Sequence, residues 1–385
     1  MISFENTENA FKAKSNTELK RSYWLFKLIG NPLLVNMGAA LGPLSLKIGF
    51  KGLIKNTIFK QFVGGENIND CGHAITQLSK YNIGTILDYS VEGKESEKDF
   101  DNCLEETLTT IKKAKGDKNI PFCVFKVTGL ARFDLLVKVS DGTSLSDEEK
   151  TEWKRVENRV AQICEAAAQA NQALFIDAEE SWIQPAIDLL ANKNMAKHNK
   201  EKVIVYNTYQ LYRHDRLNYL KETHKEAIQS GFKVGAKLVR GAYMEKERKR
   251  AEEMKYPSPI QVTKQNSDKD YNDALTFCIE NINDMAICAG THNENSSLHL
   301  AKLMDQKKIA TNDERIYFSQ LYGMSDHISY NLSLNNYNVA KYVPYGPVNE
   351  VLPYLIRRAQ ENTSVKGQTG RELNLILKEK KRRGI

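Results

Sequence analysis

Eight short apolar runs, each ending in polar residues and followed by helical spacing, constrain this chain more than any other feature. They begin at Gly84, Phe122, Ala173, Lys202, Phe232, Met285, Ile316 and Val339. The intervening helical spacing is clearest at Trp153, Val156, Val160, Ile163 and Ala167. Brief apolar runs alternating with helices indicate buried parallel strands. Eight such units predict an α/β chain folded as a (β/α)8 TIM-like barrel. A doubly wound sheet is the alternative, but no G-x-G-x-x-G follows the first run. The residues before the first run read as helical. The expected organisation is an N-terminal helical segment over 1–75, a barrel over 76–370 and a basic tail over 371–385. A length of 385 residues accommodates that barrel.

In a barrel the C-terminal strand ends and the loops after them form the active-site mouth. The polar residues that fall there are Glu92, Lys126, Asp177, Glu179, Asn207, Gln210, Lys237, Arg240, Tyr243, His292, Asn293, Gln320 and Tyr342. A helix follows the eighth run, with Pro347 at its first turn. At about 100° per residue, Val348, Leu352, Leu355, Ile356 and Ala359 share one face, and Tyr354, Arg357, Arg358 and Glu361 the other. Two adjacent guanidinium forks suit a planar carboxylate or phosphate, each able to bind bidentately. A mouth with several cations and hydrogen-bonding groups takes an anionic ligand.

Lys126 and Lys237 lie inside strand runs, and a buried lysine needs a partner or a lowered pKa. Three readings compete: structural ion pairs with Asp177 or Glu92, a Schiff-base lysine as in an aldolase-type barrel, or binding of anionic groups. Gly241 and Ala242 offer a backbone that a ligand can approach closely. Thr291, His292 and Asn293 offer hydrogen bonds.

The net charge of +7, from 55 basic and 48 acidic residues, is too diffuse to indicate a nucleic-acid partner. Lys378, Lys380, Lys381, Arg382 and Arg383 cluster, and read as a solvated tail or a weak anionic-surface contact. Cys71, Cys103, Cys123, Cys164, Cys278 and Cys288 form no C-x-x-C pair and read as reduced thiols in a reducing compartment. Cys71 and His73 lack the further ligands of a metal site, so none is expected. Glu5 and Glu8 argue against an import leader. No stretch is long and apolar enough to span a membrane. The apolar and basic segment from Trp24 to Phe62 reads as a helical layer packed on the main domain, with a membrane-surface stretch as the alternative.

Four motifs occur in order: Lys237-Leu-Val-Arg-Gly-Ala-Tyr243, Ala289-Gly-Thr-His-Asn293, Phe318-Ser-Gln-Leu-Tyr-Gly-Met324, and Tyr342-Val-Pro-Tyr-Gly followed by Tyr354-Leu-Ile-Arg-Arg358-Ala-Gln-Glu361. Together they resemble the proline dehydrogenases, over about Gly84 to Val365, and the branch that resembles the eukaryotic enzymes. The resemblance implies a distorted barrel whose last helix lies over the mouth. It implies FAD-dependent oxidation of L-proline to 1-pyrroline-5-carboxylate, the first step of proline catabolism, with electrons passed to a quinone. By motif, Arg357, Arg358 and Lys126 should bind the proline carboxylate, and Asp177 should organise those cations. Leu321, Tyr342 and Tyr354 should pack on the pyrrolidine ring. Lys237 should sit near the flavin N5 edge, where bacterial relatives carry Arg. Asn207, Gln210, Val239, Gly241, Tyr243, His292, Asn293, Gln320 and Glu361 should contact FAD. Asn207 stands where those relatives have Gln, and Gln320 is displaced by one from theirs.

Bifunctional relatives append an aldehyde dehydrogenase, so a second oxidation is expected from another protein. The expected location is cytoplasmic, with peripheral contact to the inner face of the membrane left open. The rivals are a Schiff-base aldolase-type barrel enzyme, which would be colourless, and a membrane-associated binding protein. Flavin absorption discriminates against both.

Overall fold

A computed structural model of the chain describes residues 2–31, 52, 55–90, 95–364 and 368–385. Every apolar run contains a strand: β1 Ile83–Tyr89, β2 Phe122–Lys126, β3 Ala173–Asp177, β4 Val205–Gln210, β5 Val234–Val239, β6 Met285–Gly290, β7 Ile316–Leu321 and β8 Val339–Tyr345. The strands close into a barrel in sequence order. β4 and β8 are buried at every position, as parallel strands covered on both faces are.

The chain forms two compact units rather than the expected 1–75 and 76–370. One is Gly93–Ser319, with β2 to β6 and most of β7. Its strands carry an aromatic nucleus. Phe122 stacks on Phe175 with ring centres 4.4 Å apart, and Tyr206 and Tyr317 meet Phe122 edge-on. Stacked and edge-to-face contacts add to the burial of such large rings.

The other unit joins Met1–Glu92 to Gln320–Ile385. In it, helix Asn16–Ile29 starts with a capping box between Ser15 and Glu18. Phe26 and Ile29 from that helix join Phe59, Phe62, Val351, Leu375 and Ile376 in one apolar core. Trp24 and Leu28 are exposed. Residues 32–51 of the segment expected as a packed or membrane-surface layer lie outside the described residues, as does Glu92.

Residues 371–385 are not a solvated tail. Gln368–Arg382 is a helix. Glu372, Leu375, Ile376 and Glu379 are buried on one face, at the i, i+3, i+4, i+7 spacing. Arg383 donates to the carbonyls of Phe11 at 2.8 Å and Lys14 at 2.7 Å. The basic composition concealed a helix with a buried stripe.

Candidate active site

Strand register brings the central charges together. Lys126 and Asp177 are partners across β2 and β3, each at the last position of its strand. Lys237 lies on β5. Its Nζ is 2.5 Å from Asp177 Oδ1, and Lys126 Nζ is 3.6 Å from Oδ2. Asp177 and Lys237 are buried, and Lys237 sits 5.1 Å above the centre of the Phe175 ring. One carboxylate is thus shared by two lysines, the pairing that buried charges require. Of the three readings of these lysines, the ion pair with Asp177 is what the geometry contains.

Strand parity sorts the rest of β4. Tyr206 packs edge-on against Phe122 and Phe175. Successive strand side chains alternate faces, so Asn207 points the other way. Its amide donates to Asp188 of helix Gln184–His198 at 2.8 Å and its Oδ1 accepts from Thr208 N–H at 2.8 Å. The side chain expected to contact the flavin is thus bonded to Asp188 of the helix layer and to the β4 backbone. Gln210 shares the face of Tyr206 by parity. It is buried and its Oε1 has no hydrogen-bond partner.

Beyond β5, Gly241 has φ +134°, and a Cβ there would lie 2.3 Å from the Tyr212 ring. Only glycine fits that backbone. Val239 closes β5, its carbonyl accepting from Leu211 N–H at 2.8 Å. Tyr243 precedes helix Met244–Met254, whose Glu247 N–H donates to the Tyr243 carbonyl at 2.9 Å. Arg240 is engaged by neighbours. It donates to Asp268 at 2.7 Å, Thr291 Oγ1 at 2.8 Å and Ser296 Oγ at 2.9 Å, with its guanidinium 4.4 Å from the Tyr271 ring centre. Thr291 Oγ1 also accepts from Asn293 N–H at 3.0 Å. Asn293 caps helix Glu294–Gln306, its Oδ1 accepting from Ser296 N–H at 3.1 Å. His292 lies between them, at the exit of β6.

The remaining predicted residues belong to the unit that holds both chain ends. Gln320 Oε1 accepts from Ser329 Oγ of helix Asp326–Leu334 at 2.7 Å, so this oxygen serves the helix layer. Leu321 ends β7 and is half-buried against the apolar core. Tyr342 is buried on β8, and its carbonyl accepts from Tyr322 N–H at 2.9 Å. Helix Val348–Ser364 carries Arg357, which is half-buried. The side chains of Arg358 and Glu361 lie outside the described residues. Tyr354 was expected on the polar face with the arginines. It is instead buried in the apolar core with Val351 and Leu355.

Two features escaped sequence reasoning. Lys341 is buried, donates to the Met324 carbonyl at 2.5 Å and lies 3.0 Å from Asp326. Burial lowers the pKa of its ammonium, and Asp326 opposes that. The other is the pairing of Glu179 with Thr128. A lysine inside the eighth run was a readable signal for the first. The second depends on strand register, which the sequence does not display.

The family model described as "Proline dehydrogenase" matches residues 71–371. The chain belongs to the proline dehydrogenase family. It is thus a member of a family of oxidoreductases. It is similar to "Proline dehydrogenase 1, mitochondrial" of Dictyostelium discoideum, 35% identical over 98% of this chain and 74% of that protein. It is also similar to "Proline dehydrogenase 2, mitochondrial" of Arabidopsis thaliana, 32% identical over 86% of this chain and 79% of that protein. Among solved structures, proline utilization A (PutA) from Bdellovibrio bacteriovorus superposes with a TM-score of 0.72 at 21% identity, covering 94% of this chain. This chain spans 37% of that protein's length, and the likeness bears on the proline dehydrogenase fold alone.

The expected cytoplasmic location is overturned, because these eukaryotic relatives are mitochondrial proteins. The acids taken as evidence against an import leader have another explanation. Glu5 pairs with Arg371 at 2.5 Å and Lys378 at 3.3 Å, so it serves the fold. Among the described residues no helix is long and apolar enough to cross a membrane.

Proposed function

We propose that this family member oxidises L-proline to 1-pyrroline-5-carboxylate with FAD as cofactor and a quinone as final acceptor, in proline catabolism. The observation that carries the reading is Asp177 held between Lys126 and Lys237 at the strand exits. Lys126 of that cluster is proposed to bind the substrate carboxylate, as are Arg357 and Arg358, with Asp177 organising the cations. Leu321, Tyr342 and Tyr354 are the proposed ring contacts.

The residues fit a flavin. Gln210 offers a buried acceptor oxygen without a partner, suited to a ring N–H. Lys237 offers a buried cation, suited to the charge of a reduced ring. With Val239, Gly241, Tyr243, His292, Asn293 and Glu361 they form the proposed FAD set. Asn207 and Gln320 are proposed for that set as well, each also bonding a neighbour, Asp188 and Ser329 respectively. FAD, when bound, supplies the hydride acceptor, so no protein nucleophile is required. The chain's own task is to fix the carboxylate and ring, since hydride transfer needs a close, aligned donor.

The Schiff-base alternative meets a physical obstacle. Both candidate lysines are held by one carboxylate, Asp177, and would have to leave that pairing to attack a carbonyl. Purification and an anaerobic proline titration test the reading. The expected result is flavin absorption that L-proline bleaches, formation of 1-pyrroline-5-carboxylate, and recovery of colour with a quinone. Colourless protein trapped by borohydride with a carbonyl substrate would replace it with the aldolase reading.

A further inference from the structure

The ladder between β2 and β3 ends at the pair Lys126 and Asp177. Two residues further along each chain, a side chain takes over from the backbone. Thr128 N–H donates to Glu179 Oε1 at 3.1 Å, and the Thr128 hydroxyl bonds Oε2. Glu179 N–H in turn donates to Gln184 Oε1 at 3.0 Å. After Lys126 the chain turns into a short 3-10 helix, Val127–Gly129, so the ladder cannot continue. Glu179 is 3% exposed. Its carboxyl therefore clamps together the two strand exits that present Lys126 and Asp177.

We propose that Glu179 is a positioning residue for Lys126 and Asp177, and that its proton sets how strongly Lys126 attracts an anionic substrate. The inference rests on the reading of that cluster as the substrate carboxylate site.

The charges around Glu179 make its proton consequential. Lys126 faces it from β2. Glu180 adjoins it and is paired with Lys246 of helix Met244–Met254. Helix Gln184–His198 contributes the neutral Gln184. Burial, then Glu180, push the carboxyl up to about 7, against the pull of Thr128 and Lys126. Protonated, Glu179 adds no charge beside Lys126 and its partner Asp177. Ionised, it adds a second negative charge beside Lys126, and the hold on a substrate carboxylate weakens. The clamp persists in both forms, because a hydroxyl both donates and accepts.

Glu179→Gln copies the protonated form. Its amide oxygen accepts from Thr128 N–H and its NH2 donates to the Thr128 hydroxyl. Glu179→Ala removes the clamp. Infrared titration and the Michaelis constant for L-proline, both followed across neutral pH, test the proposal. In wild type a protonated-carboxyl signal, absent from Glu179→Gln, should disappear near neutrality as KM rises. Glu179→Gln should keep the low KM at every pH. Glu179→Ala should raise KM about tenfold at all pH values, the scale of one lost buried hydrogen bond. Its flavin content should be unchanged. A wild type and Glu179→Gln with the same KM–pH profile would overturn the proposal, whether or not Glu179→Ala folds. So would the absence of the infrared signal. A wild type that does not oxidise proline defeats the functional reading instead, and the infrared difference alone then decides whether Glu179 holds the proton.

Discussion

Asp177 and Glu179 are two residues apart, yet their surroundings differ in kind. Asp177 has two ammonium groups for partners, whereas Glu179 has hydrogen bonds, a like charge and burial. The consequence for stability has a definite sign. The folded-state pKa of Glu179, about 7, lies above the ordinary 4.5. Its contribution is fully present below 4.5 and is lost as pH rises toward and through 7. Ionising the buried group costs at most about 3 kcal/mol, at 1.36 kcal/mol per pKa unit. Glu179→Gln should therefore unfold at higher denaturant than wild type above neutrality, with the gap closing in mild acid. Equal midpoints at both pH values would show that the carboxyl ionises there at little cost. At this scale the sequence was partly legible. A charge inside an apolar run demands a partner, which singled out Lys126, Asp177 and Lys237. Asn207 and Gln210 were both chosen by position along the chain, although a strand alternates faces. The odd spacing of Asn207 and Gln210 already separated the two.

Helix Val348–Ser364 shows the same point for a period of 3.6. Grouping Tyr354 with Arg357 and Arg358 left out Val351. With Val351 included, Val348, Val351, Leu352, Tyr354 and Leu355 form one apolar stripe at i, i+3, i+4, i+6 and i+7, and Tyr354 joins the core. Arg357 remains half-buried, and its guanidinium is the group proposed for the carboxylate. Arg357→Met keeps the aliphatic bulk and removes the charge. It should raise KM for L-proline by about tenfold or more, as for the loss of one partner in a buried charged hydrogen bond. The flavin content should remain that of wild type. Steady-state kinetics with an unchanged KM would remove Arg357 from the clamp. Tyr354→Phe separates packing from polarity, since it preserves the stripe.

At the scale of the whole molecule the strands were legible and the grouping was not. Eight buried parallel strands leave an unmistakable alternation of apolar runs and helices, because both faces of each strand are covered. Which segments fold together is a long-range matter, and composition gave a wrong answer for the last residues. The two chain ends share one compact unit. Glu5 meets Arg371 and Lys378, Arg383 meets the carbonyls of Phe11 and Lys14, and Leu375 and Ile376 share a core with Phe11, Leu19 and Phe26. Such an arrangement predicts coupling between deletions. Removing residues 1–14 strips the C-terminal helix of Phe11 and its carbonyl acceptors. Removing residues 368–385 strips the N-terminal helices of Leu375 and Ile376. Each deletion should cost at least about 3 kcal/mol, the scale of one large buried side chain lost. The double deletion should cost less than the sum, because each removes contacts that the other also removes. Denaturant midpoints of the four proteins measure the coupling. Strictly additive losses would mean that the two ends stabilise the unit independently, despite their shared core.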